Sequence, residues 1–243
     1  MYLHLYHNDA DDKEHLAMVF GNTIVSRSLN SPQSSDTPAN QTLRGADMTR
    51  SQSGAASDGI EIEKASQLVD GPPPLFRVHS ECFTGETSWS VRCDCGDQIN
   101  KAADMICRSS SESGAIVCLR QEGRGIGLAN KLRAYNLQDT GLDTVEANIS
   151  LGLAVDSRSY GVATAILCDL GLDGEPGIRL LTNNPDKISG ITGPEGEVKV
   201  QEVVDMSPSA CGTTFRNSRN VFSHELNSYL RTKVEKFGHT IRM

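Results

Sequence analysis

From residue 75 onwards, segments typical of β-strands alternate with segments typical of α-helices, and this alternation limits the possible folds more than any other feature. The strand-like segments are LFRVHS, AIVCLR, IRLLTNN and EVKVQEVV. The helix-like segments are DQINKAADMIC, GLANKLRAYNLQD, YGVATAILCDLG, a segment opened by Pro185, and SHELNSYLRTKVEKFGH, with Asp97 and Ser223 as candidate N-caps and Gly171 and Gly238 as stops. This order predicts an α/β fold: a single domain with a mixed, largely parallel sheet flanked by helices.

The part of the chain before residue 74 has two different compositions. Residues 2–6 and 16–20 are typical of short strands joined by a polar turn, and we assign residues 1–26 to the N-terminal strands of the domain. From about residue 27, Ser, Gly, Asn, Thr and Pro predominate and large apolar residues are nearly absent. Such a segment cannot bury enough apolar surface to offset its ordering entropy, so we predict a disordered insertion over residues 27–73. Residues 74–243 then form the main part of the domain.

Length and charge narrow the possible partners. The 243 residues are enough for one good-sized domain with a substantial core, and the formal net charge is −8. We expect no nucleic-acid partner, because an overall basic field is absent. We expect no membrane span, because no run of about 18 apolar residues occurs. The first residues do not resemble a signal peptide, so we expect a cytoplasmic location in which the seven cysteines form no disulfides.

Three of the seven cysteines lie within fourteen positions, in ECFTGETSWSVRCDCG. Cys82, Cys93 and Cys95 allow three interpretations: small buried hydrophobic residues, a closed structural zinc ribbon, or an open zinc site with three protein ligands and a fourth position for water. Polar neighbours argue against the first, and the lack of a second Cys pair argues against the second. We favour an open site on an irregular loop, where zinc would lower the pKa of bound water to about 7. His79 could be a fourth ligand, an ordinary strand histidine or a substrate contact.

A second group of residues lies in LRQEGRGIGLANKLRAY, where a strand runs through a glycine-rich turn into a helix. Gly123, Gly125 and Gly127 fit neither a P-loop nor a dinucleotide-binding fingerprint. Such a turn can offer free backbone N–H groups to an anion at the helix start, or it can be a plain tight turn. A local excess of cations favours a phosphate site: Arg120, Arg124, Lys131 and Arg133. The alternative for Lys131 and Arg133 is a solvated helix face.

Five stretches together carry a specific resemblance to a known family. They are RVHSECFTG, RCDCG, RQEGRGIGL, NKLRAYNLQDTGLDTVEAN and LLTNNPDK, and they resemble, in order, the motifs of GTP cyclohydrolase II. This family opens the guanine ring of GTP at the entry to riboflavin biosynthesis. The similarity is close over roughly residues 75–204, the segment YLRTKVEKFGH looks like the family's C-terminal helix, and the first residues look like fungal versions. Residues 74–243 are thereby interpreted as a GTP cyclohydrolase II-like catalytic domain.

The resemblance implies ligands for a metal and for a substrate. It implies one Zn²⁺ per chain, held by Cys82, Cys93 and Cys95, and Mg²⁺ that accompanies the phosphates of GTP. The GTP contacts that it implies are Arg77, Val78, His79, Ser80, Glu81, Gln98, Glu122, Gly123, Arg124, Thr144, Thr182 and Lys187.

The resemblance also implies catalytic residues near the end of the matched region. On their own, Asp156 and Arg158 would indicate a surface ion pair or a helix cap. In the family's pattern Asp156 is the proton acceptor, Arg158 the nucleophile on the α-phosphate, and Tyr135 a tyrosine tied to ring opening. Because arginine is essentially always protonated, Arg158 could instead only stabilise developing phosphate charge.

The activity implied is zinc-dependent hydrolysis of GTP to 2,5-diamino-6-(5-phosphoribosylamino)pyrimidin-4(3H)-one, formate and pyrophosphate, by a homodimer. Two departures from the family's pattern stand beside this expectation. The insertion is longer than the usual connection, and a β-strand segment that normally precedes the first residue is not present in this sequence. The alternatives are therefore a catalytically impaired relative that binds guanine nucleotide, a purely structural zinc module, or an enzyme that stops at a formylamino product, although Tyr135 favours complete deformylation.

Overall fold

The computed structural model describes residues 1–46, 71–111, 113–207 and 224–241, and within these ranges the architecture is one six-stranded sheet with helices on its faces. The strands are β1 (Tyr2–Tyr6), β2 (His15–Phe20), β3 (Leu75–Ser80), β4 (Gly114–Leu119), β5 (Ile178–Leu181) and β6 (Val200–Val204). The helices are α1 (Arg27–Asn30), α2 (Pro38–Arg44), α3 (Phe83–Glu86), α4 (Cys95–Cys107), α5 (Leu128–Gln138), α6 (Thr144–Ser150), α7 (Gly161–Asp169), α8 (Pro185–Thr192) and α9 (His224–Phe237).

The sheet has the order β1-β2-β4-β3-β5-β6. The pairs β3–β4, β3–β5 and β5–β6 are parallel, whereas β1–β2 and β2–β4 are antiparallel. The N-terminal hairpin thus extends a parallel unit at one edge. The α/β class and the mixed, largely parallel sheet predicted from the sequence are confirmed.

The two central strands, β3 and β4, are buried on both faces, as their nearly continuous apolar runs require. Side chains alternate between the faces. Phe76 and Val78 of β3 pack with α7 in the larger core cluster, and Leu75 packs with α4 in the smaller one. Arg77 and His79 therefore point to the same face as α4, the helix that begins at Cys95.

Local signals explain most helix ends. Asn184 caps α8 by accepting from the backbone N–H of Asp186, and Pro185 occupies the first turn. Gly171 and Gly238 follow their helices with φ of 73° and 62°, as C-terminal stops do. One predicted cap is wrong: α4 begins two residues before Asp97, with Asp94 at the cap position. The predicted cap Ser223 lies outside the described residues.

Residues 27–46 differ from the disordered insertion predicted to start at residue 27, because they form α1 and α2. Polar contacts rather than apolar burial hold this segment in place. Arg27 donates two hydrogen bonds of 2.8 Å to Asp173, and the Ser26 hydroxyl donates to Asp169 at 2.6 Å. A prediction from composition depends on how many apolar residues could be buried. It takes no account of hydrogen bonds and ion pairs to particular distant residues, and it therefore missed the order of this segment. Residues 47–70 of the predicted insertion lie outside the described residues.

None of the described helices has both the length and the apolar character needed to cross a lipid bilayer.

Candidate active site

A cavity of about 450 Å³ lies at the carboxyl ends of β3, β4 and β5. In parallel strands these ends meet at one edge of the sheet, which is where α/β proteins bind ligands. Ser80, Glu122 and Thr182 lie at the ends of these three strands and line the cavity. Helices α4, α5, α6, α8 and α9 and the loops beside them supply the remaining walls.

The three clustered cysteines meet at one end of this cavity. Cys82 follows β3, Cys93 lies on the irregular stretch before α4, and Cys95 is the first residue of that helix. Their Sγ atoms all lie within 4.8 Å of one another, and those of Cys82 and Cys93 are 3.6 Å apart. Tetrahedral zinc with Zn–S distances of about 2.3 Å requires sulfur atoms roughly 3.8 Å apart, so the three residues fit a zinc ion.

Electrostatics at the cluster favour a metal-binding thiolate. Hydrogen bonds from the Cys93 and Cys95 thiols, together with the charge of Lys131, lower the pKa of Cys82. The Lys131 ammonium lies 3.0 Å from the Cys82 sulfur and 2.7 Å from a Glu122 carboxylate oxygen. Lys131 is therefore a largely enclosed partner of the cluster, with its side chain 12% exposed, and not part of a solvated helix face.

Gly85 makes room for the three sulfur atoms. A Cβ built at this position would lie 2.6 Å from Cys93 Sγ, 3.2 Å from Cys82 Sγ and 3.3 Å from Cys95 Cβ. Contacts near 2.6 Å are not tolerated between such atoms, so any larger residue would move the cysteines. Gly85 was not predicted to take part in the site, because nothing in its local sequence indicates a contact with residues eight and ten positions away.

His79 makes contacts that do not involve the cysteines. Its Nε2 lies 2.7 Å from the Glu86 carboxylate, which also accepts a hydrogen bond from the Cys82 backbone N–H at 2.7 Å. Burial lowers the pKa of His79 despite this carboxylate. Within the described ranges, the group of side chains close enough to share a metal consists of the three cysteines without His79. His79 supports the cysteine turn through Glu86 and also lines the cavity.

The glycine-rich turn after β4 is closed by internal hydrogen bonds. The Glu122 carboxylate accepts from the Phe83 and Gly123 backbone N–H groups at 2.6 and 2.8 Å. The N–H groups of Gly125 and Gly127 donate to carbonyls of Gln121 and Glu122. The N–H groups of these three glycines are thus used within the turn itself, as the tight-turn alternative requires.

The same turn brings cationic side chains to the cavity. A Cβ at Gly125 would lie 3.1–3.2 Å from Ser157 atoms, so the turn packs closely against the segment before α7. This contact places Arg124 Nη1 3.2 Å from Asp156, whose carboxylate also accepts from the Arg158 guanidinium at 2.5 and 2.9 Å. Burial alone would raise the pKa of Asp156, but the hydrogen bonds and charge of Arg158 outweigh it and lower that pKa. Burial opposes the charge of Arg158 as well, yet the bond to Asp156 raises its pKa. The pair is ionised.

Tyr135 lies between the cysteine cluster and α6. Its hydroxyl is 3.0 Å from the Thr84 hydroxyl, which in turn lies 3.8 Å from Cys82 Sγ. Burial raises the pKa of Tyr135, so the phenol is protonated at neutral pH. Thr144, the first residue of α6, lines the same side of the cavity.

A chain of buried polar groups links the cavity floor to α9. Arg77 donates to the Gln98 amide oxygen at 2.5 Å, and Gln98 donates to Asp94 at 2.5 Å. Asp94 then accepts from Lys233 of α9 at 2.6 Å. Asp94 sits between Cys93 and Cys95, so this chain of polar groups connects the cysteine turn with a helix more than a hundred residues away in the sequence. Neither Asp94 nor Lys233 was predicted from the sequence to support the site.

The residues predicted as GTP contacts are, with one exception, brought together around the cavity. Those that line it are Arg77, His79, Ser80, Glu81, Gln98, Glu122, Gly123, Arg124, Thr144, Thr182 and Lys187. The exception is Val78, whose side chain is in the core on the other face of the sheet, and whose backbone oxygen accepts from the Lys187 ammonium at 2.7 Å.

Of the residues given catalytic roles, Tyr135 and Arg158 line the cavity, and Asp156 lies behind Arg158. Two of the predicted cations do not contribute to the cavity wall. Arg120 pairs with Glu81, and Arg133 is exposed on α5, where the solvated-face interpretation applies.

A family model and two yeast relatives identify the same family. The family model for GTP cyclohydrolase II matches residues 46–205. The chain is 45% identical to the GTP cyclohydrolase-2 of Meyerozyma guilliermondii and 42% identical to that of Saccharomyces cerevisiae; in each case 99% of this chain is covered, with 74% and 75% of the relative. It is also 49% identical to the riboflavin biosynthesis protein RibBA of Bacillus cereus over 72% of this chain and 40% of that protein.

Proposed function

Since this chain belongs to the GTP cyclohydrolase II family and is an enzyme of riboflavin biosynthesis, we propose that it uses zinc to hydrolyse GTP to the 2,5-diamino-6-(5-phosphoribosylamino)pyrimidinone, formate and pyrophosphate. One observation carries this proposal most directly: three cysteine sulfurs within 4.8 Å of one another share a cavity with a cluster of arginines and lysines. The cavity thus joins a metal-binding end with an anion-binding end.

Cys82, Cys93 and Cys95 would hold the zinc ion. When bound by three protein ligands, zinc supplies a water of pKa about 7 as a nucleophile at neutral pH. The protein's contribution is to hold the sulfurs together, through the space left by Gly85, and to stabilise the Cys82 thiolate with Lys131. The guanine ring would therefore lie at this end, against Tyr135.

The triphosphate would lie toward Arg124, Arg158 and Lys187. Guanidinium groups bind phosphate oxygens through paired hydrogen bonds, and Mg²⁺ would enter with the GTP phosphates. We assign Arg158 an electrostatic role on the α-phosphate, because its bond to an ionised Asp156 raises its pKa and disfavours the neutral guanidine that a nucleophile needs. A covalent guanylyl adduct trapped by rapid quench would contradict this assignment.

Tyr135 would act in ring opening. Its protonated hydroxyl, positioned by Thr84 near the Cys82 sulfur, can donate a proton to a nitrogen of the opening imidazole ring. This placement supports complete deformylation over an enzyme that stops at the formylamino product. Mass spectrometry of the products formed from GTP separates the two.

The decisive experiment measures metal content and products together. The wild-type chain, purified and supplied with GTP and Mg²⁺, should contain one zinc ion and release equal amounts of formate and pyrophosphate. Changing Cys82, Cys93 or Cys95 to Ser should remove the zinc and abolish formate release, since two thiolates no longer hold the ion.

The matched control for this experiment is Cys107→Ser. Cys107 is exposed at the end of α4, remote from the cluster, and this variant should retain zinc and activity. Retention of zinc after loss of any one of the three ligands would refute the metal site. A wild-type protein that binds GTP with zinc present but releases no formate would identify the catalytically impaired alternative.

We also propose a homodimer in solution, as the family resemblance implies. Strand β1 lies at one edge of the sheet and exposes Leu3 and Leu5 by 62% and 51%. Exposed apolar residues on an unpaired edge promote association. Light scattering that gives a monomeric mass at micromolar concentration would contradict the dimer.

A further inference from the structure

Buried polar atoms without partners are concentrated around the cavity. Among the described residues, eight buried side-chain nitrogen or oxygen atoms lack a hydrogen-bond partner, and five of these belong to residues that line the cavity. The five are Arg77 Nε, His79 Nδ1, Asn148 Oδ1, Asn184 Nδ2 and His239 Nε2. Buried polar groups are nearly always paired in folded proteins, so this concentration fits a polar ligand that completes them.

His239 is held at this position by the chain on both sides of it. Its backbone N–H donates to the Lys233 carbonyl at 3.1 Å, in the turn that Gly238 allows after α9. The next residue, Thr240, is bound twice to Asn183: its N–H donates to the Asn183 carbonyl at 3.0 Å, and its own carbonyl accepts from Asn183 Nδ2 at 2.8 Å. His239 is thereby fixed at the carboxyl end of β5.

The charge around His239 identifies the kind of ligand. Burial, followed by the nearby cations Lys233, Arg124, Arg158 and Lys187, lowers the pKa of His239 to about 3, so its ring is neutral at physiological pH. The cations beside this partly buried imidazole outnumber the carboxylates that pair with them, Asp94 and Asp156, so the surroundings favour an anion over a further cation. A phosphate oxygen placed there would accept from Nε2–H and would also offset the mutual repulsion of the cations.

We propose that His239 is a further GTP-binding residue, whose Nε2 donates a hydrogen bond to a phosphate oxygen of the substrate. This assignment rests on the proposed function, and it makes the segment after α9 part of the substrate site. Lys233 has Asp94 as a partner and Lys187 has the Val78 carbonyl, whereas His239 Nε2 has no partner within the described residues. Of the five unpartnered atoms, the imidazole nitrogen is the one beside Lys233, the residue whose carbonyl binds the His239 backbone, and it is the donor that we assign to a phosphate oxygen.

The test compares His239→Ala and His239→Gln with the wild-type, zinc-loaded protein. The dissociation constant for inorganic pyrophosphate is measured by calorimetry in the presence of Mg²⁺, and the KM for GTP and the inhibition constant for guanosine are measured by formate release. His239→Ala should raise the pyrophosphate dissociation constant and the KM about tenfold, which corresponds to about 1.4 kcal/mol. The inhibition constant for guanosine, which has no phosphate, should stay unchanged. His239→Gln keeps a donor and should recover most of the loss.

The control is His7→Ala, the same change at an exposed histidine in the turn between β1 and β2, which should behave as wild type. Unchanged pyrophosphate binding in His239→Ala would overturn the assignment, as would equal losses for pyrophosphate and guanosine or a fall in melting temperature in both variants. Failure of the wild-type chain to bind pyrophosphate would overturn it as well. A wild-type chain that binds pyrophosphate but releases no formate from GTP would instead refute the proposed function, and the pyrophosphate titration of the variants would still decide the role of His239.

Discussion

At the scale of single residues, the arrangement of the proposed metal ligands depends on a position that carries no functional group. Gly85 lies between the cysteine sulfurs, and a methyl group there would approach Cys93 Sγ to 2.6 Å. Zinc–sulfur geometry tolerates little displacement, because ligand distances must stay within about 0.2 Å of their preferred values. Steric exclusion at Gly85 is therefore as important for the site as the thiolates themselves.

We predict that Gly85→Ala reduces the affinity for zinc by at least about tenfold, in the range seen when groups that orient ligands are changed. The measurement is zinc release to a chromogenic chelator at a series of chelator concentrations. Gly161→Ala is the matched control, since Gly161 starts α7 with negative φ and an added Cβ there meets nothing within 4 Å. Equal affinity of the Gly85 variant and the wild type would contradict the steric argument.

The sequence indicated the ligands but not the residues that position them. Three cysteines at that spacing suggested an open zinc site, and the chain does bring their sulfurs together. Gly85, Asp94 and Thr84 were missed, because each acts through a contact with a residue whose position becomes known only after folding. Val78 was assigned as a contact from a continuous motif, although alternation along β3 turns its side chain to the opposite face.

At the scale of elements, α9 is attached to three separate parts of the cavity. Lys233 pairs with Asp94 of the cysteine turn. The centre of the Phe237 ring lies 3.7 Å from the guanidinium carbon of Arg124. Beyond the helix, the Thr240 carbonyl accepts a hydrogen bond from the Asn183 side chain. The helical pattern of this segment was predictable from its sequence, but its location against the cavity was not. Local periodicity gives a helix an apolar face and does not specify the partner of that face.

We predict that Lys233→Met lowers the free energy of unfolding by about 3–5 kcal/mol, the usual cost of leaving one charge of a buried pair without its partner. The side chains of Lys233 and Asp94 are 8% and 5% exposed, so water cannot compensate the lost cation. Urea unfolding monitored by circular dichroism gives the value.

The control for this prediction is Lys199→Met. Lys199 pairs with Glu175 at 2.7 Å, close to the 2.6 Å of the Lys233–Asp94 pair, but its side chain is 53% exposed and that of Glu175 is 73% exposed. Such a pair contributes about 0–1 kcal/mol, so this variant should unfold almost as the wild type does. A loss below about 1 kcal/mol in Lys233→Met would show that the buried pair does not hold α9 to the cysteine turn.

At the scale of the whole molecule, the alternation of strands and helices was enough to predict the class of fold, because each segment has the period of its own element. The residue at which the predicted insertion begins was harder to predict from the sequence. Residues 27–46 have a polar composition, yet Arg27 and Ser26 attach this segment to Asp173 and Asp169 near the end of α7. Ion pairs between distant residues leave no periodic trace in the sequence.

The contacts of residues 27–46 predict that a deletion that includes this segment is less stable than a deletion that leaves it in place. Replacing residues 47–70 by a Gly/Ser linker of half the length should change the free energy of unfolding by only about 0.6 kcal/mol in favour of the shorter chain, because the closure entropy of a flexible loop varies slowly with length. Formate release from GTP should stay near the wild-type value, since all the cavity residues named above lie after residue 76.

Replacing residues 27–70 in the same way also removes Arg27 and the backbone N–H of Ser28, both of which bind α7 or its flank. The longer deletion should therefore be less stable than the shorter one in urea, with Asp169 and Asp173 left without these partners. If both deletions unfold at the same urea concentration, the contacts of residues 27–46 add nothing to stability; if the shorter deletion is folded but inactive, residues 47–70 take part in catalysis.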